Sequence, residues 1–575
     1  MIRLLISLVC LNATTLIYSE NPPHLTQTTD WATETLSCLS LKEKIGQLFV
    51  VAAASDFNQP TESLATALFK CPYKIDSEYI QILVQKYHVG GIIFLFKSTP
   101  EKQMLLTQQL QALAKIPLLI TQDSEWGLSM RLDAQPHNVV RYPRNMTLGA
   151  INDPQLIYAM GYEIGCQCAA IGVHINFAPV IDVNNNSANP VIADRSFGDN
   201  PEHVAQCGAL FARGLQDAGI IACAKHFPGH GDTAIDSHHD LPIIDHTRQR
   251  IDELELMPFK HLIANGIGGI MLAHLSVPAL DPSYKPSSLS SLIVTTELKE
   301  NLGFKGLVFT DALGMQALTK QYQPGEIELE AFLAGNDILL CPVDVPKACM
   351  LIEKAINDGL VSEAELDARV LKILQAKTWV YNKIGSGNET ELSQKSSFLT
   401  RRQAYELQER LYRSALTIAK GAEYLPVKLN NQCLIQIGEL PDNSFQAAWS
   451  KAVSNLAIET VYTASAACTD HELQTCLEHC QEFDTAIICV GQMHKFVHTH
   501  YGIADNTRAL VAQLAKQGKS VIVVLYGTPY SVSYFKDAAA IIVAYEDAQP
   551  AQQAAVDVLL GRLLATGHMP VTVSL

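Results

Sequence analysis

Between about residue 45 and residue 380 the chain repeats one pattern, a short apolar, β-branched run followed by a longer helical stretch. The runs are QLFVVA (47–52), GGIIFLF (90–96), PLLITQD (117–123), VHINFAP (173–179), IIACAKHF (220–227), GIMLAHL (269–275), GLVFTDA (306–312) and DILLCP (337–342). Runs that stay apolar, instead of alternating, read as strands covered on both faces, the condition of a parallel sheet. Eight of them separated by helices predict a TIM-type (β/α)8 barrel over residues 20–380.

Successive strands of this set end in polar or ionisable groups: Asp123, Asp182, Lys225 with His226, His274 and Asp311. In a parallel barrel those ends converge on the C-terminal rim, where the fold builds its active sites. Taken singly, Asp182 and His274 read equally well as a helix cap or a satisfied buried polar group. It is their convergence on one rim that points to a site.

A chain of 575 residues exceeds what one hydrophobic core supports, so a second domain is expected. The polar segment KIGSGNETELSQKSSF has the composition of a linker, and a helix around 400–417 follows it, so residues 381–417 read as connection. From 418 to 575, CLIQIG, TAIICVG, SVIVVLYG and AAIIVAY alternate with helices and predict a three-layer α/β sandwich. A formal net charge of -16 without any Lys/Arg-rich run argues against nucleic acid or an anionic membrane as the partner. Residues 1–19 place Arg3 ahead of an apolar stretch and read as an export signal, so a secreted or periplasmic protein starting near Glu20 is expected, with a cytoplasmic one as the alternative. No later segment stays apolar for the ~20 residues of a membrane span, so stable insertion is not expected. Of the fourteen cysteines, Cys223, Cys341 and Cys489 sit in strand-like runs as small buried hydrophobes, and pairing among Cys468, Cys476 and Cys480 is left open.

The densest chemistry lies in KHFPGHGDTAIDSHHDLP, residues 225–242, which starts on a strand end and continues as a loop. Asp236 and His238 are two apart, a spacing at which a carboxylate can hold one ring nitrogen and raise the basicity of the other, giving a proton shuttle near neutral pH. The same loop could be a metal site, but its spacing matches no standard zinc pattern, or a merely polar surface loop. Neither metal nor cofactor is expected. Asp311, emerging from an apolar strand, is a candidate nucleophile toward an anomeric carbon, although a solitary aspartate there is also an ordinary cap.

Together with NFAPVIDVNNNSANPVIADRSFGDNP upstream and GFKGLVFTDALGM downstream, this loop closely resembles the family 3 glycoside hydrolases, specifically their β-N-acetylglucosaminidase branch of two-domain type. The resemblance implies Asp311 as nucleophile, His238 as acid/base and Asp236 as its supporting carboxylate. It implies sugar binding by Asp123, Arg131, Arg195, Lys225 and His226. The expected reaction is removal of terminal β-linked N-acetylglucosamine from muropeptides or related amino-sugar glycosides, with retention through a covalent glycosyl-enzyme. The chain departs from the branch at Asp123-Ser124-Glu125-Trp126-Gly127-Leu128, where Asp-x-Glu-Gly-Gly-Arg is usual. The competing readings are a β-glucosidase or β-xylosidase of the same family, with Glu439 or Glu546 of the second domain as acid, a phosphate-dependent variant, and a catalytically silent sugar-binding protein.

Overall fold

The structure, a computed structural model, describes residues 29–55, 77–133, 139–234, 240–385, 402–428, 431–453 and 461–574. All eight expected strands of the first domain form: β1 (Phe49–Ala53), β2 (Gly91–Phe94), β3 (Leu119–Gln122), β4 (Ile175–Asn176), β5 (Ile221–Phe227), β6 (Gly269–Leu272), β7 (Leu307–Thr310) and β8 (Leu339–Leu340). They pair in parallel from β1 through to β7, and β8 pairs with β1. The ring closes where Phe309 bridges Ile338 and Thr310 N donates to Ile338 O at 3.1 Å. Every residue of these strands is buried, as expected of a sheet enclosed between its own interior and a ring of helices. At the barrel interior's aromatic contact, Phe177 and Phe309 meet edge to face with centroids 5.3 Å apart.

The long helix Glu363–Ile384 starts in a capping box, with Ser362 bonding the Glu365 amide and Glu365 returning to Ser362. The helix expected around 400–417 spans Arg402–Ala415, and a strand starts two residues later. That strand, β9 (Thr417–Lys420), is the antiparallel edge of a six-stranded sheet with β10 (Gln432–Ile437), β11 (Val461–Ala464), β12 (Thr485–Val490), β13 (Ser520–Leu525) and β14 (Ala540–Val543), in the order β11-β10-β12-β13-β14-β9. Alternate residues of the central strands face opposite layers. Leu434, Ile487, Ile522 and Ile542 share a core with Tyr412, Trp449 and Val556 of three helices. Ile435, Ile488, Val523 and Ile541 join a second core with Leu510 and Leu514. The second domain is therefore a helix–sheet–helix sandwich.

Among the described residues no two cysteines are joined in a disulfide. The sulfur near Cys480 is that of Cys433, at 2.9 Å. Among the described residues no helix is long and apolar enough to cross a membrane. Residues 1–19 and nearly all of the linker segment lie outside the described residues.

Candidate active site

The strand ends of the barrel gather a chain of buried ion pairs. Asp123 follows directly on β3. Its Oδ1 accepts from Lys225 Nζ of β5 at 2.8 Å, and its Oδ2 accepts from Arg131 Nη2 at 2.7 Å. Lys225 Nζ also lies 2.9 Å from Glu125 Oε1. The Glu125 carboxylate in turn receives both Nε and Nη2 of Arg195, at 2.9 and 2.8 Å, in the two-pronged geometry available to a guanidinium. Arg195 Nη2 stands 3.4 Å from His226 Nε2, and His226 Nδ1 is 2.7 Å from Asp182 Oδ2. The other Asp182 oxygen accepts the backbone amides of His226 at 3.2 Å and His230 at 2.7 Å.

This continuity explains how so many charges persist in a barrel mouth. Burial works to raise the Asp123 carboxyl, but Lys225 and Arg131 overcome it and hold it at about 2. Burial likewise opposes ionisation of Glu125, yet Arg195 and Lys225 keep it well below the usual range. Asp182 is also held down against burial, by His226 and by amide donors. Lys225, opposed by burial, is raised by Asp123 and Glu125. With Asp182 ionised, His226 donates through Nδ1 and leaves Nε2 as the face turned toward Arg195. Burial and the neighbouring His226 push His230 down to about 4, so it is neutral at pH 7.

Asp311 follows the last residue of β7 on the same rim. Its backbone is pinned by N–H donation to Leu272 O at 2.9 Å, and its Oδ1 accepts the Ala312 amide at 2.7 Å. Asp311 and Asp123 both lie within electrostatic range of Cys223 and Cys341, and Asp311 also acts on His230. Asp236 and His238 lie outside the described residues. The base of their loop is anchored on one side: Asn189 Nδ2 donates to the carbonyls of His230 and Gly231 at 2.8 Å each, and Asp232 pairs with His246 at 2.7 Å.

Sequence reasoning placed Asp123, Arg131, Arg195, Lys225 and His226 together, and the structure joins them in one network. It passed over Glu125, which is the bridge between Lys225 and Arg195. The available signal was its position two residues after Asp123, inside the Asp-x-Glu run. Asp182 proves to be both a satisfied buried group and the residue that orients His226. Of the two departures in that run, Leu128 is fully buried in the core, whereas Trp126 stacks under the Arg144 guanidinium at 4.7 Å, toward the second domain. Among the described residues no group of three or more His, Cys, Asp or Glu is placed to hold a metal ion.

The second domain closes on this side of the rim. Glu546, offered by sequence as an alternative proton donor, accepts the Arg144 amide and the Thr147 hydroxyl, each at 2.8 Å, and the Tyr412 hydroxyl at 3.3 Å. It is occupied in joining the domains. Glu439 is exposed at the end of β10. Between the domains lies a cavity of about 340 Å³ lined by charges of both signs, including Arg141, Arg144, Asp194, Lys495 and Glu546.

A closed parallel barrel with a buried cation–carboxylate rim, covered by an α/β sandwich, defines the architecture of a two-domain barrel enzyme. Residues 40–376 match the Glycosyl hydrolase family 3 N terminal domain and residues 409–574 its C-terminal domain. The chain belongs to glycosyl hydrolase family 3 and is a glycoside hydrolase. It is 29% identical over 550 residues to Beta-hexosaminidase A of Pseudoalteromonas piscicida, spanning 86% of this chain and 90% of that one. It is 32% identical over 316 residues to Beta-hexosaminidase LpqI of Mycobacterium tuberculosis, 52% of this chain and 79% of that one. A solved family 3 beta-N-acetylglucosaminidase from Paenibacillus sp. str. FPU-7 superposes with a TM-score of 0.72 at 30% identity, covering 93% of this chain and 99% of that one.

Proposed function

We propose that the chain is a retaining exo-β-N-acetylglucosaminidase in which Asp311 is the nucleophile, His238 the acid/base and Asp236 the carboxylate behind His238. The observation that carries this reading is the Asp311 carboxylate at the end of β7, held by the Ala312 amide, on the rim occupied by the Asp123–Lys225–Glu125–Arg195–His226 network. The names of its relatives, beta-hexosaminidases and a beta-N-acetylglucosaminidase, agree with it.

Asp123, Arg131, Arg195, Lys225 and His226 hold the non-reducing sugar through charge-assisted hydrogen bonds to hydroxyls and the acetamido group. Asp311 then attacks C1 as His238 protonates the leaving oxygen. His238 next takes a proton from the water that releases the sugar with its β configuration. The chain leading to His238 is anchored by Asn189, which holds the His230 carbonyl, and by Asp182, which accepts the His230 amide. The polar interdomain cavity suits an aglycone carrying charged groups, such as a muropeptide fragment. The apolar stretch after Arg3 in residues 1–19 supports export, with a mature amino terminus near Glu20 and a cytoplasmic protein as the alternative.

The test is hydrolysis of 4-nitrophenyl N-acetyl-β-glucosaminide beside the glucoside and xyloside, by wild type, Asp311→Ala and His238→Ala. The reading requires turnover of the acetamido substrate alone, abolished by Asp311→Ala. His238→Ala should be slow chiefly where the leaving group needs a proton. Glucoside turnover indifferent to His238 would overturn the assignment of the proton carrier, and sugar binding without turnover would restore the silent binding protein.

A further inference from the structure

His274 is fully buried just beyond the end of β6, yet none of the steps above uses it. Its ring bridges two segments. Nε2 lies 3.0 Å from the Ala312 carbonyl, and Nδ1 lies 2.7 Å from Ser288 Oγ. A carbonyl oxygen can only accept, so the Nε2 proton is fixed on the side of Ala312. In the neutral ring Nδ1 then accepts from the Ser288 hydroxyl. Ser288 is itself buried in the turn Ser287–Leu289, and its carbonyl accepts Asn336 Nδ2 at 2.8 Å.

The consequence lies one residue from the candidate nucleophile. Ala312 presents its N–H to Asp311 Oδ1 at 2.7 Å while its C=O is held by His274. The next amide, Leu313 N, donates to Leu340 O at 3.0 Å on β8. The turn after β7 is therefore fixed at successive groups, and the donor that stabilises the ionised carboxylate depends on the orientation of a residue whose carbonyl His274 grips. Loss of that grip leaves the Ala312–Leu313 peptide held by Leu340 alone and loosens the residue whose N–H meets Asp311.

We infer that His274, with its tautomer fixed by the Ala312 carbonyl and its ring held by Ser288, is a positioning residue for the nucleophile: it acts through Ala312 to keep Asp311 ionised and aimed into the barrel mouth. The inference rests on the reading of Asp311 as nucleophile. A carboxylate that loses a backbone N–H donor is easier to protonate, so the acidic limb of activity must move up.

The experiment compares His274→Leu, His274→Gln and Ser288→Ala with wild type and Asp311→Ala. It measures kcat/KM against pH on 2,4-dinitrophenyl N-acetyl-β-glucosaminide, whose leaving group needs little protonation, with the thermal midpoint of each variant recorded. Leu removes the donor, and glutamine keeps an N–H near the Nε2 position. His274→Leu should lose roughly 10- to 100-fold in kcat/KM and shift the acidic limb upward by about one pH unit. His274→Gln should recover most of both effects, and Ser288→Ala should shift the limb in the same direction by less. If His274→Leu does not fold, the Ser288→Ala and His274→Gln pH profiles decide. An acidic limb unchanged in every folded variant would reduce His274 to a structural tie and overturn the inference. Full turnover by Asp311→Ala would instead remove the underlying reading, whatever the His274 variants do.

Discussion

Arg195 shows why residue type matters more than charge at this site. Its Nε and Nη2 reach both oxygens of Glu125, and Nη2 also faces His226. A lysine carries the same charge as a single point and cannot make both contacts. Arg195→Lys is therefore expected to keep the fold but lower kcat/KM by roughly 10- to 100-fold, mostly through KM. Steady-state kinetics with a melting curve checks this, and wild-type kinetics in the variant would show that the fork is dispensable. At this scale the sequence was a good guide to ligands of the rim and a poor one to the groups between them. Asp123 and Lys225 could be read because one directly follows β3 and the other lies in the last three residues of β5. Glu125 could not, because nothing in a run of residues tells which carboxylate falls between two cations that arrive from 70 and 100 positions away. The ambiguity over Asp182 and His274 had the same origin, since a satisfied buried group and a positioning group have identical sequence context.

At the scale of elements, continuous apolar runs identified all eight barrel strands, because burial on both faces leaves a composition that turns and helices do not share. The runs overstate strand length: β4 and β8 have only two residues each in the ladder. Edge strands of the second domain were the least legible. β9 (TIAK) and β11 (VYTA) are partly exposed, so neither has the unbroken apolar signature of the central strands. The loop after β5 carries the element-level prediction. A Cβ on Gly231 would lie 1.8 Å from the Val183 carbonyl, a backbone atom that cannot swing aside. Asn189 holds the carbonyl of the same glycine. Gly231→Ala should therefore displace the start of the segment carrying Asp236 and His238 and leave the barrel intact. Activity on substrates with poor leaving groups is expected to fall more than 10-fold, while the thermal midpoint changes little. Equal losses on good and poor leaving groups would place the damage elsewhere.

For the whole molecule, stability against pH follows from its buried charges. Asp123 and Asp337 are each held at about 2 in the folded chain against an ordinary 3.8, in spite of burial, Asp123 by Lys225 and Arg131 and Asp337 by Lys372 and Lys299. Between those values the unfolded chain takes up protons that the folded one refuses, so their contribution is complete above pH 4 and is lost as pH falls toward 2. Each is worth about 2 kcal/mol, so acid unfolding should be steep in that window. Urea denaturation at pH 5, 4 and 3 measures it, and a flat midpoint would contradict the ion-pair account. Lys377 works in the opposite direction. It is fully buried in the helix Glu363–Ile384, its Nζ donates to Gln47 Oε1 at 2.6 Å, and burial pushes it down to about 7 from 10.5. From pH 7 to 10.5 the unfolded chain retains a proton that the folded chain has released, so this residue makes the protein more stable as pH rises. Methionine fills similar volume without the charge, so Lys377→Met should raise stability at pH 7 by a few kcal/mol, reduced by the cost of leaving Gln47 without its donor. The gain must shrink between pH 7 and pH 10, because the wild type recovers there on its own. A variant whose stability runs parallel to wild type across that range would mean that Lys377 stays charged in the barrel wall.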